Sequence, residues 1–166
     1  MNGCEQDAGH LAECLETLNQ SLIELTAVFR VKRQVLAQAD MDALSALLEK
    51  EEAVTEAIFD AESRRQILVE EIASASGAAS ERLLDIVSAL PESVGDVLLE
   101  AGARLKLTME ALVREARVVA MICQAAVDHY EKLIRIVTGA ELDGSVYTAC
   151  GQKAAGERRS IIDQAI

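Results

Sequence analysis

From Leu98 to Val137 an apolar or small residue recurs at strictly alternating steps of four and three. The series is Leu98, Gly102, Leu105, Met109, Leu112, Ala116, Val119, Cys123, Ala126, Tyr130, Leu133, Val137. A 4–3 alternation averages 3.5 residues, the period that keeps one helical stripe against a partner helix over many turns. Neither proline nor a cluster of turn residues interrupts it. The spacing predicts one continuous helix over 92–137, roughly 70 Å long at about 1.5 Å per residue. Such a helix needs other helices laid alongside it, so the chain is built for side-by-side helix packing.

Composition narrows the class. Apolar residues make up 51% of the 166, yet Phe, Tyr and Trp together reach only 2%, so Ala, Leu, Val and Ile must supply the core. A sheet protein would carry more aromatics, more Gly and more than one Pro. Net charge is −12, which leaves no basic footprint for nucleic acid and opposes an anionic membrane surface. No apolar run approaches the roughly 18 residues that span a bilayer. The opening Met1-Asn2-Gly3-Cys4-Glu5 has neither a basic nor an apolar signal region. Cys4, Cys14, Cys123 and Cys150 are scattered with no CxxC pair, which fits a reduced, cytoplasmic setting.

The chain order predicts an all-α fold. Residues 1–8 read as a polar, frayed start. Helix 1 is expected over about 10–38, on the seam Leu11, Leu15, Leu18, Leu22, Leu25, Phe29, Lys32, Leu36. Lys32 breaks that seam, its stem covering the stripe while its ammonium snorkels to water. Asp40 stands where an N-cap is wanted, and helix 2 follows to about Ser76 on Leu44, Leu48, Glu51, Val54, Ile58, Ala61, Arg65, Leu68, Ile72. So short a break implies an antiparallel helical hairpin. Gly77 ends helix 2, Ser80-Glu81 can cap a short helix 3 over about 81–90, and Pro91 precedes helix 4. The expected architecture is an elongated antiparallel bundle of three long helices plus one short helix, with a flexible C-terminal tail. The domains are then 1–139, the bundle, and 140–166, the tail.

Residues 40–75 hold ten acidic and three basic residues, −7 of the net charge. This is the pattern of a solvated, solubilising face, or of a surface that attracts a basic partner. Chemistry is scarce. Asp7, His10 and Cys14 could share a helix face, but a transition-metal site wants more ligands and supporting groups. His129 has Asp128 and Glu131 near it in sequence, on other faces. There is no Gly-rich phosphate loop, nucleophile elbow or HExxH. The chain reads as a protein without enzymatic activity, cofactor or metal.

Two features point to binding. Between 118 and 127 the long helix is apolar nearly all round, which predicts a central position under helices 1, 2 and 3. The alternative is that part of it awaits a partner. The tail carries Ile161, Ile162 and Ile166 after Glu157-Arg158-Arg159, a segment suited either to dock on the bundle or to order on binding.

This order of features resembles the FlgN family, small acidic all-helical chaperones of flagellar export. The resemblance rests on Asp42-Ala43-Leu44-Ser45-Ala46-Leu47-Leu48-Glu49-Lys50-Glu51-Glu52, on Glu62-Ser63-Arg64-Arg65, and on Val146-Tyr147-Thr148-Ala149-Cys150-Gly151-Gln152 after the long helix. It covers about residues 11–152. Leu112–Val118, where the family often carries Asn-x-x-Asn, holds no Asn. The resemblance implies a cytoplasmic chaperone that binds the helical termini of hook–filament junction proteins and delivers them to the type III export apparatus. It also implies binding toward the C-terminus, for which the candidates are Tyr130, Leu133, Ile134, Val137, Tyr147, Ile161 and Ile162. The alternative from the residues alone is a homo-oligomeric coiled-coil structural or regulatory protein. Neither reading involves nucleic acid or membrane insertion.

Overall fold

The computed structural model describes residues 2–138 and contains four helices: α1 (Asn2–Gln38), α2 (Met41–Ser76), α3 (Leu83–Ser88) and α4 (Glu92–Val137). No strand occurs among the described residues. Packing divides the chain into two units, Met1–Val119 and Ala120–Ile166.

In the first unit the helix ends follow from cap chemistry. At the end of α1, Ala39 turns left-handed (φ 54°). Its N–H donates to the Leu36 carbonyl at 3.2 Å, and the Asp40 N–H donates to Val35 at 3.3 Å. That pair of bonds is a Schellman closure. Asp40 then serves the next helix, its carboxylate accepting from the Ala43 N–H at 2.9 Å. One residue thus closes α1 and the next opens α2, which forces the hairpin. Gly77 ends α2 in the same left-handed conformation (φ 70°).

The short helix is shorter than its expected span of 81–90. Ser80 Oγ accepts from the Arg82 N–H at 3.2 Å and donates to the Asp85 carboxylate, so Arg82 is the cap and helix begins at Leu83. After Ser88 the bonds tighten to three-residue steps, from Ala89 to Ile86 and from Leu90 to Val87. The carbonyl of Pro91 accepts from Val94 and Gly95, both at 3.0 Å, and starts α4 as expected.

The core gathers Ala8, Leu11 and Leu15 of α1, Val69 and Ile72 of α2, Ile86 of α3, and Leu98 and Ala101 of α4. A second cluster of Leu18, Leu22 and Ala61 is flanked by Ile58, Leu105 and Leu112. The expected fraying of residues 1–8 is corrected here. Helix α1 starts at Asn2, and Ala8 is in the core. Ala8 extends the Leu11–Leu15 stripe by one step, so tertiary burial overrides the weak helix propensity of Gly3 and Gly9.

Cross-helix bonds give the directions. Cys14 Sγ donates to the Ala61 carbonyl at 3.3 Å, and Lys32 Nζ reaches Glu51 at 2.5 Å, so α1 and α2 are antiparallel. Arg104 reaches Glu16 (3.3 Å), Thr108 Oγ1 donates to Asn19 Oδ1 (2.7 Å), and Arg30 and Arg33 both grip Glu115 (3.1 and 3.5 Å). Helix α4 therefore runs parallel to α1 and antiparallel to α2.

Lys32 and Glu51 are the first polar breaks in their two stripes, and they face each other. Lys32 does not snorkel to water as expected. It lies over the Phe29 ring at 5.9 Å and pairs with Glu51, both side chains less than a quarter exposed. A one-heptad slip of the hairpin would set each charge against apolar neighbours, so the pair specifies register more than it adds stability.

Candidate partner-binding site

The second unit begins within α4, where Ala120–Val137 is helical throughout. That stretch, Ala120–Val137, holds no Gly or Pro, and Arg135 in the last turn complements the carboxyl end of the helix dipole. Thr138 closes it, its N–H and Oγ1 both donating to the Ile134 carbonyl at 2.8 and 2.7 Å.

Here the expected central burial of 118–127 is overturned. Met121 is 72% exposed, and Val118 and Val127 are also exposed. The last buried residue of α4 among those described is Val119. The reason lies in the first unit. Arg33, five residues before the end of α1, pairs with Glu115, so α1 stops at about the level of Val119. The apolar stripe of α4 does not stop there.

Tyr130, Leu133, Ile134 and Val137 are brought together on one face by their i, i+3, i+4, i+7 spacing, each between 41% and 61% exposed. The His129 and Tyr130 rings meet edge-on, with centroids 6.1 Å apart. On the opposite face Gln124 Nε2 donates to Asp128 Oδ1 at 2.8 Å. Tyr147, Ile161 and Ile162 lie outside the described residues. Sequence reasoning missed Val127 and Ile136, which widen the same apolar surface, although the all-round apolar run was a signal for the first.

It also missed a cleft of about 450 Å³ in the first unit. Leu11, Leu15 and Leu18 floor it, Ile58 and Leu105 line its walls, and Glu62 and Arg65 stand among its lining. The glycine in the α4 stripe was the available clue, because Gly102 lets the Leu83 side chain come within 2.6 Å of where a Cβ would stand, beside the cleft they both line. Arg65 grips Glu62 through two bonds, at 2.8 and 2.5 Å. Those bonds hold the Glu62 carboxyl below its ordinary range, against a smaller upward push from burial. The same bonds raise Arg65.

Among the described residues no group of three His, Cys, Asp or Glu could hold a metal ion. Cys14 points inward to the Ala61 carbonyl, and burial raises its thiol pKa. No helix among the described residues is long and apolar enough to cross a membrane. What the second unit offers is an exposed, helical, apolar stripe.

A family model described as FlgN protein matches residues 1–155. No curated protein and no solved structure matches the chain.

Proposed function

The chain belongs to the FlgN family, and from that premise we propose that it is a cytoplasmic flagellar export chaperone. It binds the helical termini of hook–filament junction proteins and delivers them to the type III export apparatus. The observation that carries this reading is the exposed stripe of Tyr130, Leu133, Ile134 and Val137. Each of these side chains is about half exposed, so covering it recovers on the order of 1 kcal/mol. A partner helix carrying its own apolar stripe supplies that cover by helix-in-groove recognition. The tail residues Tyr147, Ile161 and Ile162 belong to the same proposed contact surface.

The chaperone role follows from the physics of the partner. An amphipathic helix with an uncovered stripe associates with its own copies, and binding it one to one removes that route. Light scattering after size exclusion tests the reading, on the chain alone and mixed with the terminal helices of a hook–filament junction protein from the same organism. A monomer that forms a discrete complex, lost on Leu133→Asp with Ile134→Asp at unchanged helicity, supports it. A self-associated species that ignores the partner overturns it in favour of a homo-oligomeric coiled coil.

A further inference from the structure

The uncovered face of α4 is too wide for one helix. Beyond buried Val119 the stripe has half-buried Ala126 and exposed Leu133 at heptad position d, with half-buried Cys123 and exposed Tyr130 and Val137 at a. In a two-stranded coiled coil the flanking e and g positions are charged and face water. Here e holds Ala120, Val127 and Ile134, and g holds Ile122, His129 and Ile136. Val127, Ile134 and Ile136 are exposed. The polar residues Gln124, Asp128, Glu131, Lys132 and Arg135 fall at b, c and f, on the far side. The apolar face therefore spans four of seven heptad positions, about twice the roughly 100° stripe of an ordinary surface helix.

We propose that this end of α4 receives two helices side by side, one on each flank, both supplied by a single partner chain. The inference rests on the proposed function and specifies the form of its substrate: a chain presenting a pair of amphipathic helices, each with an aliphatic stripe. The covered part of the same seam supports this. From Leu98 to Leu112 it packs in clusters to which α1 and α2 both contribute, and those two helices form a hairpin. The stripe continues past Val119 without a slip, so the same two-helix cover suits its remainder. A second copy of this chain would bring one α4 end and leave one flank open, which is why a two-helix partner is favoured over self-pairing.

The test uses the full chain and five probes followed by titration calorimetry. Three are the N-terminal helix of a hook–filament junction protein, its C-terminal helix, and the two joined by a Gly/Ser linker. The others are a designed single helix with a Leu stripe and a designed hairpin of two such helices. The joined pair and the hairpin should each bind at least about 100-fold more tightly than a single helix, because the second contact becomes intramolecular. Val127→Asp, on one flank, and Ile136→Asp, on the other, should each reduce the hairpin to the affinity of a single helix. Both positions are exposed, so helicity is retained. A single helix that matches its paired form, with both flank variants silent, overturns the inference. If the designed hairpin shows the full gain and no flagellar helix binds, the two-helix surface stands and the proposed partner falls.

Discussion

Two residues end their helices in the same left-handed conformation, and only one is the residue that conformation favours. Ala39 (φ 54°) closes α1 and Gly77 (φ 70°) closes α2. An L-side chain in this region costs roughly 1–2 kcal/mol, because Cβ crowds the following carbonyl oxygen. Ala39→Gly removes that cost and adds about 0.4–1 kcal/mol of extra entropy to the unfolded chain. The net gain should be about 0.5–1 kcal/mol. At Gly77 the terms reverse. No atom lies within 4 Å of a Cβ built there, so Gly77→Ala meets no steric clash from neighbours, and its loss of about 0.5–1 kcal/mol is backbone strain offset in part by the lower entropy of the unfolded chain. Urea unfolding followed by helical circular dichroism reads both. With a slope of about 2 kcal/mol per molar, Ala39→Gly should raise the midpoint by about 0.3–0.5 M, and Gly77→Ala should lower it as much. A lower midpoint for Ala39→Gly would mean that Ala39 behaves as a helix-interior residue, which would refute the two-residue hairpin closure.

Other outcomes separate core from the proposed binding surface. Leu98→Ala, at a fully buried position, should lower stability by about 3–4 kcal/mol, whereas Leu133→Ala on the exposed stripe should cost under about 1 kcal/mol and act on partner binding instead. The same denaturation assay compares two glycines of α4. Gly95→Ala places Cβ 2.8 Å from the branched Val87 side chain and should destabilise despite the gain in helix propensity of about 1 kcal/mol. Gly102→Ala meets only the tip of Leu83, which can rotate away, and should cost less than Gly95→Ala. Glu62→Gln removes a pair that solvent screens, so at pH 7 it should cost no more than about 0.5 kcal/mol. Because the folded-state pKa of Glu62 is lowered, wild type holds this advantage above the unfolded carboxylate range. The advantage is lost as pH falls through the folded value, and stability curves in acid should converge.

Much of the fold was legible because punctuation and period agreed. Pro91 and the unbroken 4–3 series place α4 at Glu92–Val137, and Asp40 and Gly77 bound α2 through backbone requirements that few other residues meet. Burial along the seams was less legible. In α1, Val28 and Val35 are buried while Phe29 and Leu36 are only partly so, because a straight helix at 3.6 residues per turn drifts from a 3.5 repeat. In α2, Leu48 is exposed and Val69 replaces Leu68 in the core. The burial of 118–127 was misjudged for a different reason. An apolar face says that a helix can be covered, whereas the alignment of α1 with α4 decides how far the cover extends. That alignment depends on Glu16, Asn19 and Glu115 meeting partners more than eighty positions away. Of the candidate site, the shared exposed face of Tyr130, Leu133, Ile134 and Val137 was readable because helical spacing alone puts them on one side.

The two-residue closure at Ala39–Asp40 also bears on the order in which the molecule assembles. Helices α1 and α2 meet through a loop whose closure entropy is small, whereas α4 meets α1 only after more than eighty intervening residues. On a ribosome the hairpin emerges first, with its inner faces matched by the Lys32–Glu51 pair. Mutational kinetics should therefore find α1–α2 contacts formed in the folding transition state and the α4 contacts formed after it. The helix that carries the proposed binding stripe would then be the last long element to join the core.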